Sequence, residues 1–127
     1  MKKIILSVVV LLTFSLLGWA AESEKTEMLR HVVILKFKAD ASTGEIKKVE
    51  DAFRALKTKI PGVAALEWGT NVSPEKLNQG FTHCFVLSFK TEKERDAYLP
   101  HPEHKKFGKI LRTVLEEALV IDYWTKE

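Results

Sequence analysis

His31-Val32-Val33-Ile34-Leu35-Lys36-Phe37 decides the fold of this chain. Alternation places His31, Val33, Leu35 and Phe37 on one face of a strand that runs from Met28 to Lys38, and Val32, Ile34 and Lys36 on the other. Both faces are largely apolar. A strand of this kind must be covered on both sides, by helices on one and by something else on the other. Downstream, Ser42 to Glu45 forms a capping box, and Ile46, Val49, Phe53, Leu56 and Ile60 follow helical spacing until Pro61-Gly62 stops the run.

Val63 to Thr70 reads as a second strand, and the segment from Asn71 to Gly80 as a polar connection. Phe81 to Phe89 is a third strand. Its heavier face, with Phe81, His83, Phe85, Leu87 and Phe89, should meet the helices, while Thr82, Cys84, Val86 and Ser88 face away. Thr91 to Glu94 makes a second capping box for a helix ending near Leu99, and a helix opened by Pro102 continues through Phe107, Ile110, Leu111, Val114 and Leu115. Ala118 to Trp124 closes the chain as a strand. The order is β-α-β-β-α-β with the second helix broken, an α+β, ferredoxin-like arrangement with one four-stranded antiparallel sheet. Helices cover one face only, so the apolar opposite face, with Val32, Ile34, Cys84 and Val86, predicts a homodimer in which two sheets pack into an α/β barrel.

The first twenty residues are of another kind. Lys2 and Lys3 precede an apolar run from Ile4 to Leu17, and Gly18-Trp19-Ala20 offers small residues for cleavage, so residues 1–20 read as a signal peptide and 21–27 as a linker before a domain over 28–127. The apolar run is shorter than the roughly 20 residues of a membrane span, so export to the periplasm or outside, without stable membrane insertion, is expected. Without Lys2 and Lys3 the formal charge falls from +3 to about +1. No clustered basic stripe with interleaved aromatics marks a nucleic-acid partner. The single cysteine, Cys84, excludes an intramolecular disulfide, and its place in an apolar strand suits an inert buried thiol.

Function concentrates in the joint Tyr98-Leu99-Pro100-His101-Pro102-Glu103-His104. Pro100 ends one helix, Pro102 suits the first position of the next, and His104 falls in its first turn. Unpaired N–H groups there disfavour a further positive charge, which suits an imidazole acting as a base. The structural alternative has His101 capping the helix and His104 packing on Tyr98. His101 and His104 are three apart, but a capping His101 and the lack of an HExxH pattern argue against a metal ion. With no phosphate-cradling or dinucleotide loop, no cofactor is expected.

These segments resemble the stress-responsive A/B barrel (Dabb) family. The carriers are the strand from His31 to Lys38, Ile60-Pro61-Gly62-Val63, Leu66-Glu67-Trp68-Gly69, Gly80-Phe81-Thr82-His83, the run from Tyr98 to His104 with Phe107, and Ile121-Asp122-Tyr123. The resemblance spans nearly all of the domain and implies a dimeric α/β barrel. The family includes a plant cyclase that closes a linear polyketide into a ring. Likeness to it implies that His31 and His104 are pocket histidines, that His104 is the acid/base group, that Tyr98 helps hold a substrate carbonyl, and that His83 also has a histidine counterpart. Phe53 stands where that cyclase has a pocket tyrosine. Activated polyketide thioesters are made in the cytoplasm, so an exported protein would not meet them. The leading expectation is a homodimer with a pocket between sheet and helices for a small, largely apolar molecule, with Phe53, His83, Phe85 and Phe107 as lining residues. The alternatives are a cofactor-independent enzyme using His104, Tyr98 and His31, and a purely structural dimer with the cavity filled by Phe53, Phe85 and Phe107.

Overall fold

A computed structural model describes residues 26–126, so residues 1–20, read above as a signal peptide, and most of the segment read as a linker lie outside the described residues. The elements are β1 (Leu29–Phe37), α1 (Thr43–Lys59), β2 (Ala65–Thr70), β3 (His83–Phe89), α2 (Glu92–Tyr98), α3 (Pro102–Arg112) and β4 (Leu115–Trp124). The strands form one sheet in the order β2-β3-β1-β4, with every neighbouring pair antiparallel. This is the ferredoxin-like arrangement that the alternation predicts, with helices on one face.

Local chemistry sets the helix boundaries. At α1 the Ser42 hydroxyl accepts from the Glu45 N–H and the Glu45 carboxylate accepts from the Ser42 N–H, a complete capping box. At α2 only half of the expected box forms: Thr91 accepts from the Glu94 N–H, but the Glu94 carboxylate reaches back to the Lys90 N–H instead. Leu99 caps the end of α2, and Pro102 opens α3 as its fixed φ and missing N–H favour.

Several boundaries differ from the sequence reading. β2 starts at Ala65; Val63 is a buried core residue outside the strand. β3 starts at His83, although the Thr82 N–H still donates to the Leu35 carbonyl. α3 stops at Arg112 and does not run on through Leu115, because the Val114 carbonyl accepts from the Lys38 N–H and draws the chain into pairing with β1. β4 is correspondingly longer, with a register shift opposite Lys36 and Phe37.

The core lies between sheet and helices. Leu29, Val33 and Leu35 from β1 and Phe85, Leu87 and Phe89 from β3 meet Val49, Phe53 and Leu56 of α1, Tyr98 of α2, and Phe107 and Leu111 of α3. The opposite face has no helix over it. There Leu119, Ile121 and Tyr123 of β4 are each about half exposed, at 46%, 51% and 48%, far above what a folded interior allows.

Candidate functional site

The β1–β4 register sets Asp122 directly opposite His31 on the helix-side face. His31 Nδ1 and Asp122 Oδ1 are 2.6 Å apart. A carboxylate only accepts, so Nδ1 carries the proton and Nε2 is left as the basic nitrogen. Arg95, from α2, donates to the other carboxylate oxygen at 2.6 Å through Nη1, and to Asp96 at 2.7 Å through Nε. Burial works to raise the Asp122 carboxyl, but the hydrogen bonds from Arg95 and His31 outweigh it and hold Asp122 below the usual carboxylate range. Three elements, β1, β4 and α2, thus lock one imidazole in one orientation.

Tyr98 is the next member of the row. Its ring lies edge-on to His31 at 5.9 Å between centroids and 4.5 Å from the His104 ring. The residue is fully buried, and its hydroxyl has no hydrogen-bond partner. Burial pushes the phenol well above its ordinary range, so it stays a neutral hydroxyl able to donate. His104 Nδ1 lies 2.8 Å from the Leu99 carbonyl; a carbonyl only accepts, so this ring too keeps Nε2 free. The broken helix makes this bond available, because the α2 C-cap and the first turn of α3 lie side by side at the proline joint. His101 caps α3, its Nδ1 accepting from the Glu103 N–H at 3.1 Å.

The structure therefore brings His31, Tyr98 and His104 together and sets His83 apart. His83 is buried at the other end of the sheet, with Nε2 2.9 Å from Glu50 and Nδ1 2.8 Å from the Thr82 hydroxyl, and its ring lies edge-on to Phe37 at 5.0 Å. Both ring nitrogens are engaged. Phe53 and Phe85 stack on each other at 4.0 Å, and Phe107 tilts against Phe53 at 4.7 Å. These three rings occupy the space between sheet and helices. A cavity of about 500 Å³ lies elsewhere, along the sheet's open face beneath the connection from β2 to β3. Arg95 and the role of Asp122 escape sequence reasoning. The one signal was an acidic residue inside the apolar run Leu119-Val120-Ile121-Asp122-Tyr123-Trp124, which needs a partner if it faces inward.

Residues 29–125 match the family model of the stress responsive A/B barrel domain. The chain belongs to this family. Among curated relatives, the Dabb protein described here is 35% identical over 95 residues to the stress-response A/B barrel domain-containing protein HS1 of Arabidopsis thaliana, covering 75% of this chain and 87% of the relative. It is 27% identical to olivetolic acid cyclase of Cannabis sativa, covering 75% and 94%. Among solved structures, hydroxynitrile lyase from Passiflora edulis superposes with a TM-score of 0.75 at 25% identity, over 80% of this chain and 96% of that one. A dimeric ferredoxin-like protein of unknown function from Bacteroides fragilis gives 0.63 at 28% identity, over 77% and 96%.

Proposed function

We propose that this Dabb protein works as a homodimer whose functional site is the Tyr98 hydroxyl flanked by His31 and His104, and that the site takes a small, largely apolar molecule bearing one uncharged polar oxygen. The unpaired, buried Tyr98 hydroxyl carries this reading. An unsatisfied buried hydroxyl costs about 1–3 kcal/mol, a cost that phenylalanine at the same position would avoid. A ligand oxygen is the missing partner. The rings of Phe89, 5.4 Å from that of Tyr98, and Phe107, 6.4 Å from that of His104, give the site apolar walls. The half-exposed apolar residues of β4 and the dimeric structural relative support the homodimer.

Tyr98→Phe is expected to raise stability by about 1–3 kcal/mol in urea unfolding, while removing the chemical-shift changes that a panel of small ketones produces around position 98. A variant less stable than the natural protein would mean that the hydroxyl is satisfied in solution, and would sink the proposal.

The second reading is a cofactor-independent acid–base enzyme, cyclase or lyase-like. It is favoured by the His31–Asp122 contact of 2.6 Å, and by relatives named a cyclase and a lyase. In this reading His104 Nε2 removes a proton beside a carbonyl, Tyr98 donates to the developing oxyanion, and His31 orients the substrate. Turnover of small carbonyl compounds should then vanish in His104→Ala with folding intact; retained turnover rules this reading out. The character of residues 1–20 supports export, and N-terminal sequencing of the mature protein that begins at Met1 would refute it.

A further inference from the structure

We infer that the open face of the sheet holds a second ligand site, a chamber closed by a second copy of this chain, which takes a small, uncharged, apolar molecule. The inference rests on the homodimer proposed above. Its floor is Gly69 of β2, Cys84 of β3, Ile34 of β1 and Leu119 of β4, and one wall is the connection that carries Leu77 and Phe81. On the single chain the groove is about 500 Å³ and open to solvent, within the range of small-molecule sites before the second copy covers it. It lies on the side of the sheet away from Tyr98, so the two sites are separate.

Gly69 gives the groove its depth over β2. Positive φ among the glycines occurs at Gly62 and Gly80, so the backbone at Gly69 is one that any residue adopts. A Cβ built there meets nothing within 4 Å. Glycine inside a strand weakens it, and where no turn or bulge requires it, it marks a place that something else approaches closely. Paired with Cys84 across the ladder, Gly69 leaves open the space that a side chain would fill.

The chemistry of the walls selects the occupant. No Lys, Arg, Asp or Glu lines the chamber among the described residues. Asn71, Asn78 and Thr82 each engage one side-chain polar atom within the connection or on His83, so the uncharged groups left to a ligand are the Thr70 hydroxyl, the Gln79 amide and the second polar atoms of the two asparagines, set among apolar walls. Burial and the nearby Glu67 carboxylate raise the Cys84 thiol, which keeps it uncharged. The roof is the second copy: Leu119 is shared between the chamber and the exposed apolar surface that continues through Ile121 and Tyr123, so the sheet packing that buries this surface also closes the chamber.

The test uses the neutral fluorophore N-phenyl-naphthylamine together with the solution mass from light scattering. The dimer is expected to bind the probe, and Gly69→Leu to weaken binding more than about tenfold while remaining dimeric. Should Gly69→Leu fail to fold, Cys84→Leu fills the same space from β3. A dimer that does not bind the probe overturns the chamber and leaves the homodimer standing; a monomeric natural protein overturns both. Binding that survives both filling variants overturns the chamber. A Gly69→Leu protein that folds as a monomer shows that the partner's chain fills the space, and the chamber is then refuted.

Discussion

Phe53→Ala is expected to lower the stability of the fold by about 3–5 kcal/mol. The ring is 1% exposed, stacked on Phe85 and tilted against Phe107, so truncation removes contacts to β3 and α3 together and leaves a hole between rigid neighbours. Small domains have only about 5–15 kcal/mol in total, so much of the stability would be lost. Urea unfolding read by circular dichroism checks this: a shift below about 1.5 kcal/mol would mean that the core closes around the loss. Near-parallel stacking continues from Phe53 through Phe85 to Trp68, 5.3 Å beyond, so Trp68 fluorescence should report the same change. The result also bears on function, since a purely structural core would lose stability without any effect on ligand binding.

Asp122→Asn should have the next largest effect, a loss of about 1.5–3 kcal/mol at neutral pH, because both His31 and Arg95 lose an ionised partner. Asp122 is partly exposed, with 24% of its side chain open to solvent, which favours the lower end of that range. Its carboxyl titrates lower in the folded chain than in the unfolded one. Its contribution is therefore complete above the unfolded value near 4 and is lost as pH falls through the lower folded value. The natural protein should lose stability on acidification through that range, and Asp122→Asn should lose less over the same interval. Equal acid dependence in the two proteins would show that the dyad does not contribute to stability. In the enzymatic reading the same variant leaves His31 free to change tautomer, so any turnover should fall by more than the stability change explains.

The alternation of β1 and β3 was legible because burial on a strand follows a period of two. His31, Val33, Leu35, Phe85, Leu87 and Phe89 all point to the helices as their spacing requires. Ser42, Thr91, Pro100 and Pro102 announced their helix boundaries because capping and proline effects act within a few residues. The end of α3 was not legible. Val114 and Leu115 continue the helical spacing, and only pairing with β1, far away in the chain, decides that they leave the helix.

The same division runs through the candidate site. Tyr98 and His104 lie six residues apart around a proline joint, so their proximity could be read locally. The partner of His31 lies 91 residues away, and Arg95 reaches that partner across 27. A one-residue slip of β4 would turn Asp122 to the other face, so the dyad exists only through a register fixed by the whole sheet. The order of elements, the face of each strand that seeks the helices, and the joint carrying Tyr98 and His104 could be read from the residues, because they follow from periodicity, capping and proline geometry over short spans. Which carboxylate orients His31, that Tyr98 is left without a partner, and that Gly69 stands over open space came from the folded chain alone, because each depends on register and packing between segments far apart in sequence.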